Sequence, residues 1–169
     1  MALTQHYVDP AINANSGTGT IGDPYGDLQY ALNTATRDAT NGNQFNVKAG
    51  TSETLAAALS LTTYGTPTAD APLLFSGYTS AANDGGIGVI SGNGSYAVLG
   101  STSYVYFVDL RLTNVGANSV VTFNIGCLAF RCEIDTNTGT NNLVSALAGA
   151  NNAVVGCYLK CSNYPCISI

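Results

Sequence analysis

Carboxylates and arginines gather on one predicted face of the chain, and they are the residues that could do chemistry. Asp109, Glu133 and Asp135 are the acidic members of this group, and Arg111 and Arg131 are its cations. Two acidic groups flanking a glycosidic bond can hydrolyse it, whereas a carboxylate-bound calcium ion with a basic residue can cleave polysaccharides by elimination. The three carboxylates are therefore the candidate catalytic residues of a polysaccharide lyase or glycoside hydrolase.

The same charges also have a purely structural interpretation. When the chain is aligned with itself so that Asp109 falls opposite Arg131, Arg111 falls opposite Glu133. Asp135 is then left to face a lysine, Lys160, one layer later. Exposed cross-strand pairs of this kind contribute about 0.2–1 kcal/mol each and help to fix the register of neighbouring strands. We favour this charge ladder over catalysis, because it accounts for the charges without a reaction.

Tyrosines are the other residues expected to meet a partner. Tyr96, Tyr104, Tyr106 and Tyr158 are predicted on or near strands. A tyrosine ring can stack on a sugar or fill a protein–protein interface at low entropy cost, and the sequence leaves the two roles open. The single histidine, His6, lies in the N-terminal arm, where a histidine-based relay has no predicted partners.

The cysteines predict neither a metal site nor a cofactor. There are five, all in the last third of the chain, and no CxxC motif occurs. Zinc sites need ligand spacings that are missing here. Cys132 and Cys157 share one predicted inward register, which favours small buried hydrophobes, while a disulfide such as Cys161–Cys166 stays open.

Three short segments of the chain superimpose on one another, and they would position these side chains. They are residues 108–112, 130–134 and 155–159. The first, third and fifth residues of each are apolar, which predicts a strand that buries those three side chains. Strand repeats of this length are typical of the coils of a parallel β-helix.

A helix and a run of short strands are predicted around this repeat. Asp27 is the expected N-cap of a capping helix near residues 27–36. Alternating residues 59, 61 and 63 favour a strand over the second half of 51–63. The chain is thus divided into an N-terminal arm, loop and capping helix (1–44) and the coils (45–169). Other strands are predicted over 45–50, 73–78, 87–90, 96–99, 104–112, 119–125, 128–134, 143–147, 153–160 and 166–169.

Composition narrows the possible partners. Charged residues make up 9% of the 169 residues and the net charge is −5, so a nucleic-acid site, which needs clustered cations, is excluded. The sequence contains no run of 18 or more apolar residues, so no membrane span is predicted. The first residues lack the features of a secretory signal, which indicates synthesis in the cytosol.

A resemblance to known proteins is carried by residues 7–10, the Gly/Thr-rich loop that follows them, and residues 28–32, 47–51, 65–67 and 72–78. These segments resemble right-handed parallel β-helix proteins of the pectin-lyase-like superfamily, and the resemblance runs along nearly the whole chain. It implies an all-β fold, a right-handed parallel β-helix forming a single-stranded solenoid. The superfamily includes polysaccharide lyases and hydrolases, phage tail spikes and fibres, and adhesin-like proteins, so the fold does not select a function.

The last residues, 166–169, have the pattern of a strand that begins another coil without a polar cap. A partner or a continuing chain is expected to cover it, since uncapped solenoid ends expose apolar side chains. With the low charge and the missing signal, this predicts a structural virion component, such as a phage tail spike or fibre. It would be a homotrimer that contacts other virion proteins, with host polysaccharide as a further contact. The alternatives are a polysaccharide lyase or glycoside hydrolase, and a surface adhesin or filament subunit.

Overall fold

The computed structural model describes residues 2–12, 15–92, 99–114, 119–136, 143–146, 151–161 and 166–168. Within them, one helix and short strands alternate with turns. The helix is α1, Leu28–Thr34. The strands are β1 Thr4–Val8, β2 Asn43–Lys48, β3 Ser52–Thr54, β4 Leu73–Tyr78, β5 Gly88–Ser91, β6 Leu99–Thr102, β7 Val105–Val108, β8 Leu110–Asn114, β9 Val121–Phe123, β10 Leu128–Phe130, β11 Glu133–Thr136, β12 Val144–Ala146, β13 Ala153–Val155, β14 Tyr158–Lys160 and β15 Ile167–Ser168.

The described strands form three sheets, and within each sheet neighbouring strands pair in parallel. The first sheet has the order β1-β2-β4-β7-β10-β13, the second β3-β5-β8-β11-β14 and the third β6-β9-β12-β15. From β4 onward, consecutive strands join the first, second and third sheets in turn. Each strand from β7 onward therefore pairs with the strand three places earlier in the chain.

The predicted fold class, an all-β right-handed parallel β-helix, is contradicted by the structure. The described residues form mostly parallel sheets accompanied by a helix, an α/β-like arrangement in which no solenoid or β-helix is identified. The prediction extended one repeat over the whole chain. Alternation and a recurring spacing specify which strands are neighbours, but not how sheets lie relative to one another. Helix α1 and the strand-free residues 55–72 also interrupt the repeat.

The register that the repeat predicts is confirmed. Val108 pairs with Phe130, and Phe130 with Val155, in the first sheet. In the second sheet, Ile134 lies between Leu112 and Leu159 in the same way. The self-alignment of the sequence thus identifies real strand neighbours.

Each long strand predicted here is in fact two strands that belong to different sheets. The breaks are at Asp109, Arg131 and Gly156, whose φ angles are +53°, +51° and +61°. These angles lie in the left-handed region, which turns the chain from the first sheet into the second. Arg131 gives no sequence signal for such a turn, because glycine usually occupies this region, and Asp109 gives only a weak one.

The turn also restarts the alternation of side chains. Phe107 and Leu110 are both buried on either side of it, while Val108 faces outward. The expectation that the first residue of each repeat is buried is therefore wrong. Val108 and Phe130 are half-buried, and Val155 is exposed, so an apolar row runs across the outer face of the first sheet.

Aromatic rings line the inner face of the first sheet. Phe45, Phe75 and Phe107 occupy paired positions on β2, β4 and β7 and are fully buried. Their ring centroids are separated by 6.0 Å and 5.5 Å. His6 of β1 extends the stack, with its ring 4.9 Å from that of Phe45. The N-terminal arm thus belongs to this sheet, which crosses the boundary proposed between residues 44 and 45.

The predicted helix and its cap are confirmed. Asp27 accepts a hydrogen bond from the Tyr30 N–H at 2.6 Å, and the helix packs its apolar side chains into the core. Leu28, the first helical residue, donates its N–H to Glu53 of β3 at 3.1 Å. This bond ties the start of the helix to the edge of the second sheet. No helix in the described part of the chain is long and apolar enough to cross a membrane.

The strand expected in the second half of residues 51–63 is not formed. The strand in this region is β3, in its first half, and residues 55–63 are irregular. Leu55 and Leu59 are nevertheless buried in the core. Of the alternating residues 59, 61 and 63, Leu59 is buried, Leu61 is half-buried and Thr63 is exposed, so the alternation does not describe an inward face.

Candidate functional site

The predicted acidic cluster is a set of ion pairs on the second sheet and at the turn before it. Arg131 Nε donates to Asp109 Oδ1 at 2.8 Å, and Arg131 Nη2 donates to Asp109 Oδ2 at 2.5 Å. This two-bond pair joins two left-handed turns, each of which leads from a strand of the first sheet to a strand of the second. The Asp109 carboxylate is buried, whereas the arginine is largely exposed and lies with its Cζ 4.8 Å from the centroid of the Phe130 ring.

The second arginine contacts two carboxylates, but not in the predicted order. Arg111 and Glu133 are in register on neighbouring strands, as expected, yet the shortest distance between their charged atoms is 3.6 Å. Arg111 Nη2 instead donates to Asp135 Oδ2 at 2.6 Å. Lys160 is in register with Asp135, but it is Arg111 that forms the ion pair with this buried carboxylate.

These contacts favour the structural interpretation of the cluster. Asp109 and Asp135 are both buried, and an arginine donates to each of them, so neither carboxylate is free to reach a substrate. The same bonds raise the pKa of both arginines, which keeps their guanidinium groups charged. Glu133 is the one member of the three that remains substantially exposed. A single accessible carboxylate does not supply the pair that glycoside hydrolysis requires.

The predicted tyrosine contacts separate into different places. Tyr104 and Tyr106 line a shallow depression of about 350 Å³ on the first sheet, together with Ile125. Tyr158 is 63% exposed on β14, the last strand of the second sheet. Tyr96 lies outside the described residues. Among the described tyrosines, Tyr104 and Tyr106 are therefore brought together, and Tyr158 lies on a different sheet.

The cysteines form a disulfide and a buried set. Cys161 and Cys166, left open by the sequence, are joined in a disulfide. Cys132 is buried, and burial raises the pKa of its thiol to about 12, so it is not a nucleophile at neutral pH. Within the described residues, no group of three or more His, Cys, Asp or Glu side chains is placed to hold a metal ion.

A second depression, which the sequence did not single out, lies at the carboxyl ends of β1, β2 and β4. Asp9 and Lys48 form an ion pair of 2.6 Å there, beside Tyr78. Asp9 immediately follows β1, and Lys48 and Tyr78 end β2 and β4. Polar residues at successive strand ends are the signal that could have indicated this site, because parallel strands end at the same edge.

Among the described residues, the last strands of the three sheets are β13, β14 and β15, and we call them the β13–β15 end. Each strand exposes an apolar side chain: Val155 is 48% exposed, Tyr158 63% and Ile167 39%. The inward residues are also less covered, since Leu159 is half-buried while its partner Ile134 in the previous layer is fully buried. Within the described residues, each of these strands pairs on one side.

No protein-family model, curated protein or solved structure matches this chain. The resemblance to the pectin-lyase-like superfamily therefore stays a prediction, and the function has to be argued from the residues themselves.

Proposed function

We propose that the chain is a structural component of a larger assembly, in which other copies of the chain contact the exposed apolar side chains of β13, β14 and β15. The observation that carries this proposal is the exposure of Val155, Tyr158 and Ile167 on the last strand of each sheet. Edge strands present unpaired backbone groups, and apolar side chains beside them favour association. A partner strand would satisfy both at once.

The opposite edge of the first sheet supports this direction of assembly because it is already covered. Tyr7 on β1 donates its N–H to the Gly19 carbonyl at 2.9 Å and accepts from the Tyr25 N–H at 2.9 Å. The loop before α1 therefore uses backbone groups that would otherwise template another strand. Within the described residues, the β1 edge of the first sheet is covered by this loop, whereas β13, β14 and β15 each pair with a neighbouring strand on one side.

The specific form that we propose is a virion component such as a phage tail spike or fibre, acting as a homotrimer. Three features support it: the low charge, the parallel strands in register across layers, and the arginine pairs that occupy the buried carboxylates. The disulfide fits a protein that works outside the reducing cytosol. The observed ion pairs weaken the lyase or hydrolase alternative.

Light scattering and sedimentation velocity at micromolar concentration test the assembly. We expect an oligomer that Val155→Asp and Tyr158→Asp dissociate, because each places a charge in the contact. Ile87→Asp is the matched control, since Ile87 is 46% exposed, against 48% for Val155, and precedes β5 rather than lying on an edge strand. A stable wild-type monomer, or equal dissociation by the control variant, would contradict the proposal.

Two further observations test the virion assignment. Capsid and tail genes beside the coding sequence would support it, whereas carbohydrate-utilisation genes would favour a cleaving enzyme. An assay for reducing sugars and unsaturated products on pectin and bacterial polysaccharides, with and without calcium, should give no activity. Activity that is lost in Glu133→Gln while the fold is retained would reverse the assignment.

A further inference from the structure

The depression at the carboxyl ends of β1, β2 and β4 has the size of a small-ligand site. Its volume is about 360 Å³, at the lower end of the range typical of ligand pockets. Three of its side chains sit at the ends of neighbouring strands, and Lys48 and Tyr78 are in register. The remaining residues come from the loops that follow β1 and β4 and that precede α1: Ile12, Ile21, Gly22, Pro24, Thr79 and Ser80.

Its polar part is an ion pair with no net charge. The buried Asp9 carboxylate accepts the Ala11 N–H at 3.0 Å and the Lys48 ammonium at 2.6 Å. Burial alone would raise the pKa of Asp9, but these hydrogen bonds and the lysine charge lower it, so the carboxylate is ionised. Lys48 is partly exposed, and an ammonium has three N–H donors, so it can donate to a ligand as well as to Asp9.

Tyr78 adds a neutral hydroxyl group. Burial, followed by the nearby charge of Asp9 and smaller effects of Tyr7 and Asp84, raises the pKa of Tyr78 to about 12. The phenol therefore keeps its proton at physiological pH and can donate or accept a hydrogen bond. The depression thus combines an ammonium donor, held in place by the buried Asp9, with a neutral hydroxyl group beside it.

The rim is aliphatic and unusually exposed. Ile12 is 38% exposed and Ile21 is 50% exposed, and both line the depression. Pro24, which precedes helix α1 in the chain, lines it as well. Large aliphatic side chains at the edge of a polar cleft offer contact area to the C–H face of a ligand. A ligand that uses both parts must be polar on one side and apolar on the other.

We propose that this depression binds a neutral sugar unit. The hydroxyls of a sugar accept from Lys48, which Asp9 holds in place, while its C–H face rests on the isoleucines. The negative charge of Asp9 would repel an anion, and the positive charge of Lys48 would repel a cation, so a neutral ligand is favoured. A wholly apolar ligand would leave the ion pair without water or a partner, which costs free energy. The proposal does not depend on the assembly proposed above, because it uses strands at the other end of the first sheet.

Titration of isoleucine-methyl-labelled protein, followed by NMR, tests this site. The probes are D-glucose, D-galactose and N-acetyl-D-glucosamine, together with a linear oligosaccharide of each. We expect saturable shifts of the Ile12 and Ile21 methyl signals at millimolar sugar. Tighter binding of an oligosaccharide would identify a polysaccharide as the source, and equal binding would identify a free monosaccharide.

Three variants separate the site from nonspecific binding. Lys48→Met should weaken binding about tenfold or more, the loss expected for a hydrogen bond to a charged group. Ile21→Ala, which changes an exposed side chain and leaves the ion pair intact, should also weaken it. Ile125→Ala is its control, because Ile125 is 40% exposed and lines the other depression. The absence of saturable shifts with every probe, or an equal effect of Ile125→Ala, would overturn the proposal.

Discussion

Glu53 should make the folded protein less stable as the pH rises from about 4.5 to 7. Its side chain is buried on the inner face of the second sheet, in the same column as Ile90 and Leu112. Burial, followed by the nearby charge of Asp27, raises the pKa of Glu53 to about 7, although the hydrogen bond from the Leu28 N–H lowers it. The folded state therefore holds this proton more tightly than the unfolded chain.

The sign and size follow from that difference. The favourable contribution is fully present below the ordinary glutamate pKa of 4.5 and is lost as the pH rises through the folded-state value of about 7. The difference between 4.5 and about 7 corresponds to at most about 3.5 kcal/mol of unfolding free energy, since one pKa unit is worth about 1.4 kcal/mol. Glu53→Gln removes the ionisable group but keeps an oxygen for the Leu28 N–H.

Urea unfolding of both proteins between pH 4 and pH 8 measures the effect. The unfolding free energy of Glu53→Gln minus that of the wild type should increase between about pH 4.5 and pH 7 and level off above that pH. Glu133→Gln is the control, because Glu133 is a more exposed carboxylate on the outer face of the same sheet. If the curves of the wild type and Glu53→Gln run parallel from pH 4 to pH 8, the reasoning about Glu53 is refuted.

Three further outcomes follow from the packing, the ion pairs and the disulfide. Phe75→Ala should lower the unfolding free energy by about 3–5 kcal/mol in urea titrations, because it removes a fully buried ring from the aromatic stack. Arg111→Met should lower the Tm by about 5 °C in calorimetry, since it leaves the buried Asp135 carboxylate without its cation. Lys160→Met should leave the Tm nearly unchanged, and an equal loss would show that Arg111 is not the important partner. Cys161→Ser should cost about 2 kcal/mol, the value for so short a disulfide loop, and reducing agent should lower the stability of the wild type but not of the variant.

A feature of the structure could be predicted from the sequence when it depends on a few adjacent residues or on a pattern that recurs along the chain. The cap at Asp27 was predictable because it depends on a few adjacent residues. The pairing of Asp109 with Arg131 was predictable because the repeat aligns opposite charges. Both predictions needed only local periodicity and a comparison of the chain with itself.

The features that the sequence did not predict depend on backbone geometry or on residues that are far apart in the chain. Asp109 and Arg131 adopt left-handed conformations that are uncommon for residues other than glycine, so the restart of alternation and the outward position of Val108 could not be predicted. Asp9 and Lys48 lie far apart in the chain, and nothing in either segment indicates the other. The arrangement of the sheets was mistaken for the same reason, because neighbouring strands do not specify how whole sheets lie.

The length of chain between paired strands is not constant, and this has a consequence for how the chain can change in evolution. Val108 pairs with Phe130, Val121 with Val144, and Phe130 with Val155, so the three separations all differ, yet every one of these pairs is parallel. The additional residues fall between strands, where a change of length does not shift the neighbouring ladder. Insertions and deletions in these connections should therefore be tolerated more readily than within strands, which makes the connections natural positions for grafting foreign peptides.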